Sequence, residues 1–77
     1  GLVYSDEEVK KQYELSQKQR AFERAIRKLK QAKSVYEEAG ETALAKSIGQ
    51  NIRTATSQLK EFCSKNGLKY YNWRTKI

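Results

Sequence analysis

Residues 16–33 read SQKQRAFERAIRKLKQAK, and the reading of this stretch decides the fold. It carries seven cations (Lys18, Arg20, Arg24, Arg27, Lys28, Lys30, Lys33) against a single acid, Glu23. Phe22, Ala25, Ile26, Leu29 and Ala32 recur at steps of three and four residues, which is helical spacing. On a wheel of about 100° per residue, these positions and Tyr36 gather on one side. Arg20, Arg24, Arg27 and Lys28 gather on the other. One helix thus has an apolar face that needs a partner and a cationic face that suits an anion or water.

Working outward, Ser5-Asp6-Glu7-Glu8 is a helix start. Ser5 and Glu8 stand at the two positions of a capping box, and the acids complement the positive end of the helix dipole. Tyr4 and Val9 occupy the positions of a hydrophobic staple. Proline is absent and no glycine occurs before Gly40, so the spacing predicts a first helix over 6–39, about 34 residues and ~51 Å long. Leu15, Phe22, Leu29 and Tyr36 repeat at seven residues, a register that suits an antiparallel hairpin. Gly40 fits the left-handed position that ends a helix. A second helix is predicted over 43–65, with the stripe Ala45, Ile48, Ile52, Ala55, Leu59 and Phe62. Asn66-Gly67 closes it, and Leu68 is placed to complete a Schellman cap.

A short connection makes two such helices antiparallel neighbours. Folding at Gly40-Glu41 sets Tyr36 near Ala45, Leu29 near Ile52, Phe22 near Leu59 and Gln19 opposite Phe62. The longer first helix leaves Val9 and Tyr13 without a helical partner. The tail, with Leu68, Tyr70, Tyr71, Trp73 and Ile77, is expected to fold back onto that overhang. The fold class is therefore all-α, a two-helix hairpin with a folded-back aromatic C-terminal tail.

Seventy-seven residues allow one small module. Cores of this size rarely supply more than ~3–5 kcal/mol without staples, and one cysteine forms no internal disulfide. A partner, or self-association in isolation, is the expected remedy. With no methionine in the sequence, the chain is expected to be a piece processed or excised from a longer protein. No apolar run approaches the ~20 residues of a membrane span. Histidine is absent, which removes the usual imidazole base and the common zinc sites, so no catalytic, cofactor or metal residues are assigned. Cys63, alone and beside the core stripe, reads as a small buried apolar residue. Glu23 reads as the surface ion-pair partner of Arg27.

Two features remain for binding. The net charge of +7 suits a polyanion, and Arg20, Arg24, Arg27 and Lys28 are the candidate contacts to phosphates or to a partner. The tail, LKYYNWRTKI, interleaves aromatic residues with cations. Tyr70, Tyr71, Trp73 and Arg74 are its candidate interface residues, able to stack on bases or to pack on the hairpin itself.

These residues also carry a family resemblance. Gln17-Lys18-Gln19-Arg20, Glu23-Arg24, Ile26-Arg27-Lys28 and Lys30 resemble the QKQR-x-x-ER-x-IRK-x-K pattern of the phage minor capsid protein 2 family. Ala39-Gly40, Leu59-Lys60-Glu61-Phe62-Cys63 and Asn66-Gly67-Leu68-Lys69 follow in the family's order. Tyr70, Tyr71 and Trp73 depart from the more polar residues of that pattern. The resemblance implies one helical module of a longer head protein, located in the virion and in the host cytoplasm during assembly. It implies a structural role near the portal, with other head or portal proteins and packaged DNA as partners. Some members carry a toxin-like ADP-ribosyltransferase region, which nothing here resembles. The alternative from a different class is a nucleic-acid-binding hairpin of a regulatory protein that uses the same basic face.

Overall fold

The computed structural model describes residues 6–76. The Ser5 capping box, the Tyr4 staple position and Ile77 lie outside the described residues. Helix α1 spans Asp6–Glu38, helix α2 spans Thr42–Lys65, and a short 3-10 turn spans Asn72–Thr75. The described residues hold no strand, and both helix boundaries lie within one residue of the sequence expectation. The molecule is a rod of 59 × 17 × 17 Å.

Both helices end at a glycine in the left-handed region, Gly40 at φ +81° and Gly67 at φ +66°. At the first end, the amide of Glu41 donates to Tyr36 O at 2.8 Å and that of Gly40 to Glu37 O at 3.1 Å. These are the two bonds of a Schellman cap, and they hold α1 closed although Glu37 and Glu38 oppose its dipole. At the second end, Leu68 N donates to Cys63 O at 2.8 Å, and the Leu68 side chain packs on the cluster that contains Cys63. Glu41 opens α2 without a side-chain cap. The chain reverses between these points, and the helices pack along each other. Lys33 lies against Gly49, and the Phe22 and Phe62 rings stand 5.4 Å apart. Contact partners therefore recede along α1 as they advance along α2.

The core is small. Ile26, Leu59 and Cys63 are fully buried, and Phe22, Ile52, Ala55, Leu68 and Tyr70 pack around them. Ala45 is buried nearer the turn. The apolar face of α1 differs in detail from the wheel, since Ala25 and Tyr36 are exposed and Leu29 is only half-buried. Gln19 and Glu23 are buried in their place. The tail supplies the reason. It does not cover the overhang, where Val9 and Tyr13 stay exposed. Instead Gln19 Nε2 donates to Lys69 O at 2.8 Å, and Arg74 reaches Glu23. The tail thus returns along the middle of α1 and buries the flank that the wheel assigned to polar residues.

Ile26→Ala should cost ~2–5 kcal/mol, enough to unfold a domain this small, with Leu29→Ala costing less. Thermal melts followed by circular dichroism check the order. Burial first and the charge of Glu23 second push the Cys63 thiol above its ordinary value of 9.0. A raised thiol pKa means that stability is complete below the unfolded value and is lost as pH rises through the folded one. The melting temperature of the natural chain should accordingly fall more steeply above pH 9.0 than that of Cys63→Ala.

Candidate functional site

Helix α1 places Arg20, Arg24 and Arg27 along one exposed line, because steps of four and three residues keep neighbours on one face, roughly 5–6 Å apart at Cβ. The tail then runs beside this line. Its 3-10 turn lies against α1, held by Gln19 on Lys69 and by the pairing of Arg74 with Glu23. Thr75 is buried and donates its hydroxyl to Asn72 O at 3.0 Å, which closes the turn. The outcome is a groove walled by Arg20, Arg24 and Arg27 on the helix and by Trp73, Arg74 and Lys76 on the tail, with Glu23 also lining it. Lys28 joins Arg24, Arg27 and Lys76 in the adjoining recess.

Two sets of residues that look separate in the sequence therefore form one cationic surface. The candidate tail residues divide, however. Tyr70 packs toward the core with the Lys60 ammonium 5.4 Å from its ring centre. Tyr71 is half-buried and supports Arg74, whose guanidinium carbon sits 4.5 Å from the Tyr71 ring centre and 5.4 Å from that of Trp73. The Tyr71 and Trp73 rings are tilted at 59° with centres 6.0 Å apart. Trp73 itself remains 63% exposed. Tyr71 and Arg74 thus brace the tail, while Trp73 faces outward.

Glu23 is the residue that spacing misjudges. It is 4% exposed rather than on the surface, and its partner is Arg74 rather than Arg27. The Arg74 Nη1 to Glu23 Oε2 distance of 3.8 Å is a charge contact longer than a hydrogen bond, and that buried oxygen accepts no hydrogen bond. The sequence signal was present but ambiguous: Glu23 is the one acid in a run of cations, next to Phe22. Lys76 is a second contributor that the spacing did not select.

Among the described residues, no group of three or more His, Cys, Asp or Glu side chains could hold a metal ion. No described helix is long and apolar enough to cross a membrane. The arrangement offers charge and an aromatic face, the chemistry of binding. No curated protein and no solved structure gives a significant match to the chain. The sequence profile of the phage minor capsid protein 2 family matches residues 2–64, ending one residue before the close of α2 and before the tail. That match spans well over half of the 77 residues, including the cationic line and nearly all of both helices, and the chain belongs to the phage minor capsid protein 2 family, with the structural role in the phage capsid which that carries.

Proposed function

We propose that this chain is an assembly module of its capsid protein, an antiparallel hairpin with a folded-back tail that docks on other head or portal proteins near the portal. Its basic side lies against packaged DNA, and it has no catalytic part. The observation that carries this reading is the separation of surfaces on the rod. Apart from Trp73 in the groove, the exposed large apolar groups among the described residues sit at its two ends, Val9 and Tyr13 at one and Val35, Tyr36 and Leu44 around the turn at the other. The cations line the side between them. Apolar ends suit protein neighbours, and a line of arginines suits phosphates, whose contact is independent of sequence. The same exposed ends would serve self-association of the isolated chain.

Binding to random-sequence duplex DNA across a salt series tests the reading. Each phosphate contact contributes about −0.9 to the slope of log K against log salt. Replacing Arg20, Arg24 and Arg27 together with glutamine should flatten the slope by about 3, with helicity unchanged because all three are exposed. A slope that the triple substitution leaves intact would refute the assignment of the DNA contact to this face.

A further inference from the structure

We propose that the groove between α1 and the tail binds single-stranded nucleic acid, with the α1 arginines on its phosphates and the Trp73 ring stacked on an unpaired base. This deepens the polyanion reading of the basic face and rests on it. The first observation is Trp73. A tryptophan is a large apolar side chain, and this small protein has few with which to build a core. Yet Trp73 leaves 63% of its surface open, while its neighbours Tyr70 and Tyr71 are partly buried. The Arg74 guanidinium carbon lies over the ring 5.4 Å from its centre and the Tyr71 ring meets it tilted at 59°, and the remainder of the ring is open to solvent.

The second observation is what surrounds the open ring. Arg20, Arg24 and Arg27 stand along one wall, and Arg74 and Lys76 stand on the same wall as Trp73. A charged line with an aromatic platform is the combination that tracks a single strand: cations follow the backbone, and any base offers a face for stacking. A duplex would engage the arginines alike but has no exposed base face to give Trp73. An acidic protein segment would also neutralise the cations, yet it would leave the ring unused. The position of the ring is held from behind, since Tyr71 and Glu23 grip Arg74 and the Gln19 amide grips Lys69. A stacking residue fixed in advance loses less freedom when it binds.

Trp73 is the sole tryptophan of the chain, so its fluorescence reports directly on the groove. The chain should be titrated at low salt with an oligothymidylate of about 12 nucleotides, with a duplex of equal length and with polyglutamate. The proposal expects the single strand to quench Trp73 and to bind more tightly than the duplex. Trp73→Leu should weaken single-strand binding roughly tenfold, read by anisotropy of labelled oligonucleotide, and leave duplex binding unchanged. Trp73→Phe should restore most of the loss, and circular dichroism should show all three chains equally helical. Equal affinity for single strand and duplex with Trp73 unquenched would overturn the inference and leave the basic face as a duplex contact. Polyglutamate competing as well as the oligonucleotide would overturn it in favour of an acidic protein partner. Failure of both nucleic acids to bind at low salt would remove the polyanion reading with it.

Discussion

The burial of Ile26 against Leu59 and Cys63 is the contact on which the rest of this structure depends. Full burial of a side chain of that size stabilises by about 1.5–3 kcal/mol, while fixing one backbone residue costs about 1–2 kcal/mol. With so few side chains fully buried, the seam has little surplus. It nonetheless sets the register of α2 on α1, and the register sets where α2 ends. Lys65 and Asn66 come to rest in a groove with Gln12 and Leu15. The cap at Gly67 then turns Leu68 back onto the same cluster. From that point the tail runs along α1, which is how a short apolar contact comes to determine the position of a polar surface.

The tail is held chiefly by polar and aromatic contacts, and they are interdependent. A buried carboxylate without a partner is costly, and Glu23 lies beside Cys63 with one oxygen that accepts no hydrogen bond. Arg74 offsets part of that cost through its charge, and it is itself seated on Tyr71. The Gln19 amide satisfies a backbone carbonyl that would otherwise face the helix surface unpaired. Removing the tail would leave Glu23 with no cation at its buried oxygen. Removing Glu23 would leave the arginine of the tail among other arginines. The helix and the tail are thus matched to each other by charge, in a place where a helical wheel shows only a polar flank.

Most of the scaffold was legible from sequence, and physical reasons separate that part from the rest. Gly40 and Gly67 declared the ends of both helices, because a left-handed residue is hard to build from anything else. Ile26, Ile52, Ala55 and Leu59 declared the seam by their period. Periodicity assumes one partner per face, however, and α1 has two: α2 on one flank and the tail on the next. The second partner is irregular in structure and has no period, so spacing placed Gln19 at the seam but could not show its bond to the tail, the burial of Glu23 or the exposure of Ala25. The location of the tail was misjudged for a related reason. Counting residues identified Val9 and Tyr13 as uncovered but said nothing of chain direction, which the Leu68 contact reverses toward the middle of α1. The candidate site was legible as two lists of residues, and the groove that joins them was not.

That groove gives the thin core a particular consequence. Folding places five cations, Arg20, Arg24, Arg27, Arg74 and Lys76, around the single acid Glu23. Like charges one helical turn apart destabilise by about 0.2–0.5 kcal/mol per pair, and the tail adds two more cations to a line that already repels itself. The folded state therefore stores unfavourable charge at the surface it presents. An anion that binds the folded chain relieves this repulsion and stabilises by mass action, by about 2.7 kcal/mol at a hundred times its dissociation constant. That is as much as burying one core side chain contributes. In a large protein such a gain would be a small correction. In this rod, where Ile26, Leu59 and Cys63 form the buried cluster among the described residues, an anion held in the groove would weigh as heavily as a core residue and would couple binding to folding.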